Sequence, residues 1–126
     1  MKNYYIVVRD NHRDKIILAE QIRNSIIDKG GKCNYSVLGP DYEVPADTEC
    51  ILAIGGDGTV IRAAQNSFGS DIPLLGINYG HMGYLCDLDK DSVFSALDRL
   101  FRDDYEIEER MMLNGYIKPA EDYSMR

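Results

Sequence analysis

Cys50-Ile51-Leu52-Ala53-Ile54-Gly55-Gly56-Asp57-Gly58-Thr59 carries the chain from an unbroken apolar run into three glycines and an acid. Five apolar residues in succession, without the alternation of a half-exposed strand, predict a parallel strand covered on both faces. The glycines let the chain turn sharply and bring bare backbone close to a ligand. Val60, Ile61, Ala63 and Ala64 then supply the packing side of a short helix over about residues 59–67. Strand, glycine turn and helix together make an anion site suited to a diphosphate, because the N–H groups of a helix's first turn have no partner within the helix. Asp57 sets a carboxylate beside that site, able to accept a proton from an attacking hydroxyl or to hold Mg²⁺ through water. Asp-Gly is also a common hairpin pair, but an all-apolar strand before it and a helical pattern after it oppose that reading.

Working outward toward the N-terminus, residues 4–8 read as a first strand, rich in aromatic and β-branched side chains. Residues 13–29 read as a helix with Ile16, Ala19, Ile22, Ile26 and Ile27 on one stripe, capped by Asn11 and stopped by Gly30-Gly31. Residues 32–38 are a second strand, and residues 39–47, with two prolines and several acids, a loop. Toward the C-terminus, residues 73–78 are a fourth strand and residues 79–85 a glycine-containing loop. Asp91 or Ser92 caps a third helix carrying Val93, Ala96, Leu97, Leu100 and Phe101. Residues 102–110 form a charged surface, and residues 111–117 begin another strand. This alternation predicts an α/β layered domain with a largely parallel sheet, with Ile51, Leu52, Ala53, Ile54, Leu74 and Ile77 buried. Ligands of such sheets bind beyond the carboxyl ends of the strands, so Asp57 is expected at that edge.

The 126 residues fit one domain with a real core. A net charge of −7 without a basic block argues against duplex nucleic acid. No apolar run reaches the ~18 residues of a membrane helix, and no secretory leader is visible. Cys33, Cys50 and Cys86 lack metal or dithiol spacing and read as small hydrophobes of a reducing, cytoplasmic setting. The expected partners are therefore small nucleotides, with neither nucleic acid nor membrane.

A second motif, Gly76-Ile77-Asn78-Tyr79-Gly80-His81-Met82-Gly83-Tyr84-Leu85, follows the fourth strand. Asn78 can offer its amide to a ligand edge, Gly80 and Gly83 allow a tight loop, and Tyr84 can lie against a flat ring such as adenine. Arg62, one turn after Gly58, can neutralise a phosphate or pair with an acid on the surface. No Gly-Lys-Ser or Gly-Lys-Thr is present, so this is not a P-loop, and Ile61 stands where a dinucleotide fingerprint needs a third glycine or alanine.

The two motifs, in this order and about twenty residues apart, resemble the NAD kinase family, as does Glu109-Arg110-Met111-Met112-Leu113 at that family's passage between domains. Gly-Gly-Asp-Gly alone is shared with phosphofructokinases and with diacylglycerol and sphingosine kinases; the pair of motifs is far more specific. Lipid kinases usually continue with Asn-Glu where this chain has Val60-Ile61. The resemblance implies a Rossmann-like domain of the NAD kinase and phosphofructokinase-like type over residues 1–110. It implies Mg²⁺-dependent transfer of a phosphoryl group from ATP, or polyphosphate, to the adenosine ribose 2′-hydroxyl of NAD, giving NADP. Asp57 would be the proton acceptor. Gly55, Gly56, Gly58, Thr59 and Arg62 would bind nucleotide, with Asn78, Gly80 and Tyr84 lining the adenine and phosphate pocket. No direct metal ligand is implied. Tyr84 replaces the family's usual Phe and Met82 its usual Leu. Family members carry a second, mostly β domain with an Asn-Glu or Asn-Asp pair that grips the NAD ribose, and they are usually homo-oligomers. Residues 111–126 hold no such pair and would only begin the connection, so the chain is expected to keep the phosphate loop and lack half the substrate pocket. Two alternatives are a nucleotide-binding module without turnover and a lipid kinase domain.

Overall fold

A computed structural model describes residues 1–40, 42–80 and 84–107. The chain runs β1 (Asn3–Val8), α1 (Arg13–Asp28), β2 (Lys32–Val37), β3 (Cys50–Gly55), α2 (Asp57–Asn66), β4 (Leu74–Asn78), β5 (Cys86–Asp89) and α3 (Val93–Phe101). The five strands form one sheet in the order β2-β1-β3-β4-β5, and every pairing is parallel. β3 lies at the centre, and its residues Ile51 to Ile54 are all essentially inaccessible, as the apolar run requires. The expected α/β layering and parallel sheet are thus present.

One face of the sheet carries Tyr4, Ile6, Val8, Leu52, Ile54 and Ile77 against Leu18, Ala19, Ile22 and Ile26 of α1 and Val93, Leu97 and Leu100 of α3. The other face is covered in two pieces. α2 packs Val60 and Ala63 on Ala53, and the loop between β2 and β3 lays Leu38, Tyr42 and Val44 over Tyr5, Val7 and Ile51. That loop does the work of a helix on the second face.

The chain leaves β1 for β2 on one side and returns to β3 on the other, so the strand order reverses between β1 and β3. Such a reversal splays the two following loops apart and opens a crevice at the carboxyl edge. Those loops are residues 9–12 and the Gly55-Gly56 turn.

Four expectations change. The sequence reading assigns no element to residues 86–90, where β5 lies; its Cys86 and Leu88 supply only two inward residues between acids, too short a pattern to stand out. Helix α2 starts at Asp57, not near Thr59, with Gly56 as its N-cap. Helix α1 is capped by His12, whose Nδ1 accepts from the Asp14 N–H at 3.4 Å, while Asp10, not Asn11, takes the His12 N–H at 2.9 Å. Leu74 is only half-buried, because β5 pairs with Gly76 to Asn78 and leaves the first part of β4 without a neighbour. Ser92 does sit at the N-cap of α3, but the carboxylate of Asp89 receives the Asp91 and Ser92 N–H groups. The strand expected over residues 111–117 lies outside the described residues.

Candidate active site

Gly55 ends β3 in register with Asn78 at the end of β4, so the two motifs meet side by side at the carboxyl edge of the sheet. The Tyr79 N–H donates to the Gly55 carbonyl at 2.9 Å and the Arg9 N–H to the Ile54 carbonyl at 2.9 Å, which fastens the loops after β4 and β1 to the end of β3. Gly55 has no room for a side chain: a Cβ there would strike the Thr59 side chain and reach within 3.0 Å of the Arg9 Cβ. Thr59 itself is buried, its side chain packed beneath the turn, and its N–H bonds the Gly56 carbonyl. It shapes the loop from below.

Gly56 and Gly58 are of another kind. Among the described residues, a Cβ on either would meet nothing within 4 Å. Gly58 stands in the first turn of α2, where glycine costs roughly 1 kcal/mol relative to alanine. The packing of the chain therefore gives no reason for the missing side chains, and the space above them adjoins the open end of α2, whose first-turn N–H groups face it. Gly80, at φ +108, sits in a conformation that side-chain-bearing residues seldom adopt, and it too opens onto free space.

Asp57 is half-buried in the first turn of α2. Its Oδ2 accepts the Tyr84 N–H at 2.9 Å and its Oδ1 the Leu85 N–H at 2.9 Å. The acid that the sequence sets beside an anion site is thus bonded to the backbone of the second motif. Tyr84 exposes 93% of its surface, while the next residue, Leu85, is buried against Ala53, Val60 and Ala63. The side-chain Oδ1 of Asn78 is buried without a hydrogen-bond partner among the described residues, an acceptor that a ligand's N–H or O–H would satisfy. Arg62 is exposed on α2 and forms no ion pair among the described residues. His81, Met82 and Gly83 lie outside the described residues. All the expected site residues therefore gather at one edge, with Thr59 turned inward and Arg62 outward.

The sequence reading missed the residues that follow β1. The Lys15 side chain is nearly buried. Its Nζ lies 3.4 Å from Asp10 and 5.5 Å above the Tyr79 ring. The Asp10 carboxyl is held below its ordinary value, first by the His12 N–H and then by Lys15. A lysine this enclosed is uncommon unless paired. Its only signal in the sequence was an acid five residues earlier in a strand-to-helix loop.

Burial pushes Cys50 and Cys33 up to about 12 and Cys86 up to about 11, with Asp57 and Asp87 adding to the effect on Cys86. Among the described residues no three His, Cys, Asp or Glu side chains are grouped to hold a metal, and no helix is long and apolar enough to cross a membrane. Two concavities of about 780 Å³ each open toward the amino ends of the strands around Phe68, Ile72 and Tyr105, and neither is lined by Asp57.

Residues 39–105 match the family model described as the ATP-NAD kinase N-terminal domain. The chain is 37% identical to the NAD kinase of Agathobacter rectalis, covering 94% of this chain and 45% of that protein. It is also 37% identical to the NAD kinase of Lachnospira eligens, covering 97% and 45%. Among solved structures it is similar to an NAD kinase from Archaeoglobus fulgidus in complex with ATP. The TM-score is 0.59 at 19% identity, over 80% of this chain and 37% of that one, a likeness of fold. The chain thus spans a little under half the length of these two bacterial relatives.

Proposed function

The chain belongs to the NAD kinase family, and from that premise we propose that it forms the nucleotide-binding part of an enzyme that phosphorylates NAD. The observation that carries the reading is the bare cradle at the start of α2: Gly56 and Gly58 leave open a space that the fold does not need, in front of unpaired helix N–H groups. That space suits a diphosphate. Beside it, the exposed Tyr84 ring would offer a face to adenine, the Asn78 Oδ1 would accept from a nucleotide N–H or O–H, Gly80 would keep the approach clear, and the exposed Arg62, outside the cradle, would add positive charge near the phosphates. Gly55 and Thr59 hold the turn in shape.

In the reaction the ribose 2′-oxygen of NAD attacks the γ-phosphorus of ATP, the bond to the β-phosphate oxygen breaks, ADP leaves, and the hydroxyl proton passes to a carboxylate oxygen of Asp57. A carboxylate has roughly four lone-pair directions, and the two backbone N–H bonds leave Asp57 capacity for that proton. A divalent ion carried on the nucleotide phosphates would supply charge compensation. Residues 1–110 make up the domain, and residues 111–126 would lead into a second, β-rich domain like the remainder of the relatives. We infer that this second part completes the NAD pocket and the homo-oligomer. Alone, residues 1–126 would bind nucleotide weakly and turn over little NAD. The three free cysteines fit a cytosolic setting.

One observation favours a second reading, a binding module without turnover: Asp57 already has structural work. Asp57→Asn in the chain joined to its second domain separates the two. A base role predicts a fall in kcat of about 10²–10⁴-fold, not recovered across a Mg²⁺ series. Partial recovery at high Mg²⁺ would make Asp57 an organiser of the metal, and unchanged NADP formation would leave the loop as a binding element only. Nothing in the site favours a lipid kinase.

A further inference from the structure

The reaction proposed above asks Asp57 to take a proton, and the geometry gives it a second task. Its two carboxylate oxygens receive two consecutive backbone N–H groups, those of Tyr84 and Leu85, each at 2.9 Å, from positions 27 and 28 residues further along the chain. The two residues have opposite surroundings. Leu85 is anchored in the core between α2 and the sheet, and its carbonyl lies 2.8 Å from where a Cβ on Gly76 would stand. Tyr84 is almost fully in solvent. The carboxylate, on the residue between Gly56 and Gly58, therefore grips the chain at the point where it leaves the core and turns an aromatic residue out to solvent.

We propose that Asp57 is a latch: a positioning residue that fixes the Tyr84 ring relative to the phosphate cradle and so sets affinity for an adenine nucleotide, independently of any proton transfer. The inference rests on the nucleotide-binding reading of this edge. Only a carboxylate fits the role. It is acceptor-only, so both oxygens can face N–H donors, and charge-assisted bonds of this kind are the stronger ones. An asparagine has one acceptor oxygen and would turn its own NH₂ toward the second N–H. Size is conserved in that substitution, and the latch is not.

Amide hydrogen exchange of the isotopically labelled chain, read at Tyr84 and Leu85, tests this directly. Tyr84 is exposed, and the difference between wild type and Asp57→Asn isolates the carboxylate bond from any other contact of that residue. In the wild-type chain both amides exchange well below random-coil rates. In Asp57→Asn they exchange roughly 10- to 100-fold faster, while the amides of Ile6 and Ile54 in the core do not change. Titration with AMP supplies the second readout. AMP has no phosphoryl group to transfer, so a base has no part in its binding. The latch predicts weaker AMP binding in Asp57→Asn, whereas a base alone predicts equal or tighter binding, since a negative charge near the phosphate is gone. Equal or tighter AMP binding, or amides at 84 and 85 that ignore the substitution, would overturn the latch. Should Asp57→Asn not fold, the wild type decides: a Tyr84 amide exchanging at the random-coil rate overturns the latch, and slow exchange upholds it. Loss of NADP formation with unmoved amides would instead leave the base standing and remove the latch, so the two proposals fail separately.

Discussion

The two edges of the sheet use the same devices for different purposes. At the amino edge Glu49 receives two consecutive backbone N–H groups, those of Lys2 and Asn3 at 2.9 and 3.1 Å, and stitches the start of β1 to β3. At the carboxyl edge Asp57 receives those of Tyr84 and Leu85. Glycines divide the same way. Gly31 lies at the amino edge because a Cβ there would press into the Lys2 carbonyl and come within 2.9 Å of Ile26 and Phe101. Gly56 and Gly58 at the carboxyl edge have nothing above them. The amino-edge features are explained by the fold alone. Among the described residues nothing in the packing explains Gly56 and Gly58, and that excess over the needs of folding is what the proposed site rests on.

The same substitution at the two edges should therefore have opposite effects on stability. Gly31→Ala forces backbone and side chains apart and is expected to cost about 1–3 kcal/mol, the usual range for overpacking, seen as a lower midpoint in thermal or urea unfolding. A Gly31→Ala chain as stable as wild type would erase the contrast from one side. A smaller effect is expected at Glu49→Gln. The two N–H bonds hold the Glu49 carboxyl below its ordinary value. Its contribution is therefore present at neutral pH, above the unfolded-state value, and is lost as pH falls through the depressed folded value. Urea midpoints of wild type and Glu49→Gln should differ at pH 7 and converge in acid. A difference that grew toward low pH would reverse the assignment.

Most of the frame was legible because it is local. The apolar run of β3, the stripe of α1 and the Val93, Leu97 and Leu100 spacing of α3 each announce themselves within a few residues. The gathering of Asp57, Asn78 and Tyr84 at one edge was also legible, since both motifs follow strands. What escaped depends on pairing at a distance or on weak local signals. β5 offers just two inward apolar residues. The start of α2 hid behind glycines that disfavour helix, so Asp57 read as loop rather than as the first residue of a helix. The bonds from Asp57 to Tyr84 and Leu85, and the closing of Lys15 over Tyr79, join residues whose proximity only the sheet order creates.

The central claim is that Gly58 is bare for the sake of a nucleotide and not for the fold. Gly58→Leu tests it in one pair of measurements on the same chain, the thermal midpoint and the affinity for NAD by titration. Leucine is a good helix former, so stability should hold or rise by up to about 1 kcal/mol, while its side chain fills the cradle and NAD affinity falls at least about tenfold, the equivalent of ~1.4 kcal/mol. Arg62→Lys, which keeps the charge outside the cradle, should weaken binding less. A Gly58→Leu chain that loses stability yet binds NAD as the wild type does would contradict the account.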